Sequence, residues 1–361
     1  MSLIPKPDQT KYRGITFDST SSEPISPSDG DTWIDDENLV RVYSDTDSKW
    51  YMWNMDLVPY GYIIGGKQTD HTNDPISSID RLLFPFDSGT SKLLGNLSQT
   101  QCAMSACNSS SSAYIFGGGV LLASTPQLNS SIERFIFPFD SGTATHTGNL
   151  TGSKGLTSAF NSSTHGYICG GINDVSDMSL VERILFPFEG SASIVGNVES
   201  SVNYSGSCNN STNAYILCGY RSNDRIQGLT FPFDSGSMTH IGNVYSKRCY
   251  SSGCNSTDYG YVMGGYSETA TLMTSIERID FPWSGGVASL VGNLAISSRY
   301  SSGFNSTDYG YCCSGPDECI TSVQRITFPF DSGTASYIGT ITTPRFQGCG
   351  IDGTDFKSQF I

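Results

Sequence analysis

Histidine, arginine and cysteine are the side chains from which this chain could build a reactive centre, and their spacing argues against one. Only four histidines occur in 361 residues. His71 and His165 stand in unrelated loops. His146 and His240 share one position of an internal repeat, where other copies carry Leu93, Val195, Leu290 and Tyr337. No pair has the i, i+2 or i, i+4 spacing that gathers imidazoles around a metal. Neither a metal site nor a copper–tyrosine radical centre is expected, and no cofactor is implied. Arg81, Arg134, Arg183, Arg278 and Arg325 recur at one strand position, so they read as structural, each pairing with a neighbouring repeat. The convergent arginines and acid/base of a glycoside-cleaving site are therefore not expected either.

The eleven cysteines do not read as a disulfide frame. Cys107, Cys208, Cys254 and Cys349 read as one repeat position that Phe160 and Phe304 also fill. Cys169 and Cys313 share another with Ile64, Phe116, Leu217 and Met263. A position that alternates between thiol and large apolar groups is a core position. The odd count fits reduced thiols in a chain made in a cytoplasm. The many Asn-x-Ser/Thr triplets fall at a recurring turn, where turn chemistry accounts for them.

The repeat itself is plain. Phe-Pro-Phe-Asp-Ser-Gly or a near copy begins at Phe84, Phe137, Phe186, Phe231, Phe281 and Phe328, each preceded by Gly-Tyr-x-x-Gly-Gly or a near copy of that phrase. A period of about fifty residues marks units that each form one sheet and bury its faces only against their neighbours. The fifth copy reads as four strands. Tyr259 to Met263 is apolar and ends at Gly264-Gly265. Ile276 to Phe281 alternates, and Pro282 ends its pairing. Ala288 to Leu294 follows, then the Gly/Ser-rich Tyr300 to Phe304, whose small residues suit a crowded inner edge. In most copies Asp-Ser-Gly makes the hairpin turn, glycine supplying the positive φ.

Double glycine after an apolar run, a Glu-Arg pair and a later Arg-Tyr-Ser-Ser-Gly segment resemble kelch repeats, from about Pro59 to Phe360. Cys218-Gly219 and Ser314-Gly315 depart from the double glycine, and Gln227-Gly228 from the Glu-Arg pair. The resemblance implies an all-β, six-bladed kelch-like propeller over residues 58–361. The first copy lacks an inner strand, and Arg345 to Asp355 matches one, so the C-terminal strand is expected to close the ring. In kelch-like propellers the loops after each double glycine share a face with those leading into the inner strands. The second set carries Lys154, Tyr204, Tyr245, Arg248, Tyr250, Arg299, Tyr300 and Arg345. Cations beside tyrosines on a rim can stack on sugar rings or grip an acidic group, so these are the candidate binding residues.

Residues 1–57 lie outside the repeat and read as a small β-rich module. Gly30-Asp31-Thr32-Trp33-Ile34-Asp35, then Leu39 to Tyr43, then Trp50-Tyr51-Met52-Trp53, resemble a short module of bacteriophage tail-fibre and other virion proteins. That resemblance implies docking to other virion proteins, with Asp31, Trp33, Tyr43, Trp50 and Trp53 as candidate contacts. The formal charge of −14 with no basic run argues against nucleic acid as a partner. Met1 to Asp18 has no apolar core and no later stretch is long enough to span a bilayer, so neither a signal peptide nor membrane insertion is expected. The expected function is that of a non-enzymatic virion protein, assembled in the host cytoplasm, that recognises a host-surface glycan or protein. A cytoplasmic kelch adaptor and a propeller glycosidase are the alternatives.

Overall fold

The computed structural model describes residues 32–34, 40–44, 49–52, 59–68, 74–120, 127–220, 223–315 and 320–353. The chain divides into two compact units, Met1–Val58 and Pro59–Ile361. In the first, Thr32–Ile34, Val40–Ser44 and Lys49–Met52 form one antiparallel sheet in chain order. Trp33 lies opposite Arg41 and Tyr43 opposite Trp50. Asp31 and Trp53 fall outside the described residues, and of Trp33, Tyr43 and Trp50 only the strand positions are described.

The second unit is a six-bladed β-propeller, with strands as its only regular elements among the described residues. Blade 5 shows the plan: inner strand Ser252–Asn255, then Tyr259–Met263, Ser275–Asp280 and outer strand Ser289–Asn293, all antiparallel. Blades 2, 3, 4 and 6 span 105–149, 158–197, 206–243 and 302–340. Blade 1 is composite. Cys349–Gly353 supplies its inner strand and pairs with Tyr60–Ile64, which continues into Ser78–Leu83 and Lys92–Asn96. Each second strand is buried on both faces, which is why Tyr62, Ile63 and Ile64 run as an unbroken apolar stretch. Its neighbours on either side are adjacent blades, so Tyr62 and Ile64 share a core with Ala113, Ile115 and Phe135 of blade 2.

Two repeated contacts stitch each blade to the next. The tyrosine of every second strand stacks on the Phe-Pro phenyl of the following blade, from Tyr62–Phe137 round to Tyr311–Phe84, with centroids 4.8–5.5 Å apart. Its hydroxyl accepts the backbone N–H two residues beyond that phenyl, as Tyr261 does from Phe330 at 3.1 Å. The third-strand arginines then reach the acid of the same phrase: Arg81 to Asp140, Arg134 to Glu189, Arg183 to Asp234, Arg278 to Asp331 and Arg325 to Asp87. Blade 4 has Gly228 at the arginine position, and there blade 5 carries Trp283-Ser284 in place of Phe-Asp. Both partners of that ion pair are lost together.

The register corrects two alignments. Ile351, not Cys349, is the counterpart of Cys107, Cys208 and Cys254, because Ile351 pairs with Tyr62 as Cys254 pairs with Tyr261. The Cys-Gly-Ile-Asp phrase matches Ser-Gly-Phe-Asn once the strand is slid two residues. Likewise Ile194, not Val195, stands beside Glu182 as His146 stands beside Glu133. The ten described cysteines are buried. Burial alone pushes the Cys107 and Cys208 thiols up, which keeps them neutral and unreactive.

Candidate binding face

The site begins with a backbone conformation. The residue two before the start of each inner strand lies in the left-handed region, and none of the six is glycine: Ala103, Leu156, Tyr204, Tyr250, Tyr300 and Gln347, with φ of 54–61°. Their peptides form a closed circle. The N–H of each donates to the carbonyl of its counterpart in the preceding blade, at 2.6–3.2 Å, and Ala103 completes the ring on Gln347. This six-membered hydrogen-bonded ring lies across the axis at the loop end of the inner strands, and the large central cavity begins just below it.

Three adjacent members of the ring are tyrosines. Tyr204 and Tyr250 meet edge to face at 4.4 Å, and Tyr250 and Tyr300 lie 4.2 Å apart. Tyr220 and Tyr266, from the loops after the second strands, extend the cluster. The Arg299 guanidinium lies over the Tyr266 and Tyr300 rings at 4.9 and 5.5 Å. Phe346 adjoins Tyr300 and carries the Lys67 ammonium over its ring. Blades 4 to 6 thus present an aromatic arc, whereas Ala103 and Leu156 make the opposite side aliphatic. Burial pushes the Tyr204, Tyr250 and Tyr300 hydroxyls up, so all three remain neutral hydrogen-bonding groups. Tyr220 and Tyr245 are exposed. The Tyr245 backbone N–H donates to Glu277.

Lys154, Arg248 and Arg345 are not on the displayed surface, contrary to expectation. All three are enclosed, at 2%, 0% and 0% exposure, in ion pairs with Glu182, Glu277 and Asp80. The reason lies one strand away. In every blade the third strand shifts register against the fourth immediately before its acidic or amide residue, from Ile79/Asp80 round to Val323/Gln324. The extra residue, Leu94 in blade 1, lies on the fourth strand, while the third strand keeps its regular alternation against the second and holds its acid fully buried. A buried carboxylate needs a compensating charge, and the residue two before each ring position supplies it in blades 1, 3 and 5. In blades 4 and 6 an amide, Gln227 or Gln324, takes the place of the acid, and the residue two before the ring position is Val202 or Ser298. Blade 2 combines Glu133 with the neutral Gln101.

Of the candidates named from the sequence, Tyr204, Tyr250, Tyr300 and Arg299 come together, whereas Lys154, Arg248 and Arg345 are enclosed in ion pairs. The sequence signal for those pairs is the co-occurrence of cation and acid in blades 1, 3 and 5 and the absence of the cation where the acid is replaced by glutamine. Among the described residues no three His, Cys, Asp or Glu side chains converge to hold a metal, and no helix is long and apolar enough to cross a membrane. No known protein-family model matches the chain, and no curated protein matches it.

Proposed function

We propose that this chain is a non-enzymatic bacteriophage virion protein, tail- or particle-associated, whose kelch-like propeller offers its loop face to a host-surface glycan or protein. The observation that carries this reading is the aromatic arc of Tyr204, Tyr250 and Tyr300 with Arg299 beside it. Left-handed backbone costs a non-glycine residue about 1 kcal/mol. Tyrosine at three such positions is thus best accounted for by what its side chain contacts. Amphipathic rings with a neighbouring guanidinium suit a sugar or a polar peptide surface. The Gly-Asp-Thr-Trp segment, through its likeness to tail-fibre modules, supports attachment of the first unit to other virion proteins.

Two measurements test the two halves of the proposal. Mass spectrometry of purified particles should detect the chain at a fixed copy number, and its absence there sinks the virion assignment. Purified protein should bind host cells, and Tyr250→Ala combined with Tyr300→Ala should reduce that binding at least tenfold while the melting temperature stays that of a folded propeller. Unchanged cell binding would remove the loop face from consideration. Recovery of one stoichiometric soluble host protein, with no particle, would favour an adaptor instead.

A further inference from the structure

Beneath the hydrogen-bonded ring the axis opens into a cavity of about 820 Å³, lined by the six inner strands and the turns that follow them. The ring residues are not among its walls, whereas Pro59, Phe84 and the Asn-Ser turns at the opposite end are. It forms a cup that runs from beneath the ring to those turns.

Its wall is unusual in chemistry. Serine and threonine hydroxyls form one tier. Below them five equivalent positions are asparagine, Asn108, Asn161, Asn209, Asn255 and Asn305, and the sixth is Asp352. The carboxamides lace the blades together. Asn209 donates to the Asn161 carbonyl at 3.0 Å and Asn108 to the Asp352 carbonyl at 2.9 Å, while Asn305 accepts from the Asn255 N–H at 3.1 Å. A carboxylate cannot repeat the donation, so Asp352 is the member whose chemistry differs from the belt. Among the described residues it is the only acidic or basic side chain in the wall. The buried Ser302 hydroxyl, also in the wall, has no hydrogen-bond partner.

We infer that this cup is a second binding site, remote from the tyrosine face, for a small molecule with one positive charge and several hydroxyls, the chemistry of an amino sugar. One carboxylate supplies too little charge for a tight divalent-metal site, which gathers several oxygen anions. Hydroxyls and carboxamides donate and accept alike, as a polyol requires, and the volume falls within the range of small-molecule sites. The charge of −14 favours entry of a cation. Burial raises the Asp352 carboxyl to about 7. The other titratable groups in the wall, the Cys107, Cys208, Cys254 and Cys349 thiols, are pushed up by burial and stay neutral. A cation beside Asp352 lowers its pKa, so binding near pH 7 releases a fraction of a proton.

The test is isothermal titration of the full chain with glucosamine, glucose, N-acetylglucosamine and calcium chloride. Glucosamine should bind at least tenfold more tightly than either neutral sugar, with heats that differ between phosphate and Tris buffers by the released proton. Asp352→Asn, which completes the belt with the residue found at the other five positions, should fold normally and lose that preference. Tyr250→Ala should keep it, which separates this site from the loop face. No glucosamine binding, equal binding of the neutral sugars, an unaffected Asp352→Asn protein, or tighter calcium binding would each overturn the inference.

Discussion

Glu133 occupies the buried acid position of blade 2, yet the residue facing it is Gln101 rather than a cation. Its Oε1 and the Gln101 Nε2 are both buried without a partner, while Oε2 accepts the Ser98 N–H at 2.7 Å. Burial raises the Glu133 pKa, against the smaller opposing effect of the Ser98 hydrogen bond. The native state then holds this proton to higher pH than the unfolded chain, so stability falls as pH rises through the window above the ordinary carboxylate range. Glu133→Gln should reproduce blade 6, where Gln324 accepts from the Ile296 N–H and donates to the Ile296 carbonyl. The expected gain is about 1–2 kcal/mol at pH 7.5, vanishing near pH 4, by urea unfolding at both pH values. The fully buried Arg248–Glu277 pair should respond in the opposite sense. Arg248→Met leaves Glu277 uncompensated and should cost about 3–5 kcal/mol, whereas Arg183→Ala, whose partner Asp234 is largely exposed, should cost under about 1 kcal/mol. Arg248→Val with Glu277→Gln, the pairing of blade 4, should recover most of the loss.

At the level of the element, a blade is held by what the next blade offers it. The second strand supplies the tyrosine and the Phe-Pro phrase supplies both the phenyl on which it stacks and the N–H it accepts. Tyr261→Phe keeps the stack on Phe328 but strands the Phe330 N–H. The expected destabilisation is about 1–2 kcal/mol, read from the shift in the urea midpoint at unchanged slope. Inner strands obey a stricter rule, because there backbones converge on the axis. A Cβ added at Gly253 would run into the Ser207 carbonyl, and one at Gly303 into the Gly253 carbonyl. Gly253→Val should therefore fail to yield folded protein, while Ser252, one residue earlier, already tolerates a side chain turned towards the cup and Ser301.

For the whole molecule the decisive contact is closure. Cys349–Gly353 pairs with Tyr60–Ile64, and Arg345 reaches across the same seam to the carbonyls of Ile63, Gly65 and Ser78 and to Asp80. Because ring hydrogen bonds, tyrosine seams and arginine seams all run through blade 1, no blade is terminal. Truncation before Arg345 should abolish the cooperative transition of the propeller in calorimetry rather than produce a small early shoulder. A truncated chain with the full transition would mean that blades stand without closure.

How much of this was legible followed from what a repeat does to a sequence. Six copies of Phe-Pro-Phe-Asp-Ser-Gly, a missing inner strand at one end and a spare one at the other determine blade number and closure, because period and strand order are local properties of the chain. The core cysteines and structural arginines were readable for the same reason: a position seen six times reveals its environment through its substitutions. Lys154, Arg248 and Arg345 look like surface cations locally, since nothing near them in sequence announces Glu182, Glu277 or Asp80. Only the tertiary structure brings those pairs together, by laying the segment before the inner strand against a buried third-strand acid. It alone also draws the six ring peptides into a circle and places Asp352 among five asparagines, because both depend on distances across the axis between residues about fifty positions apart.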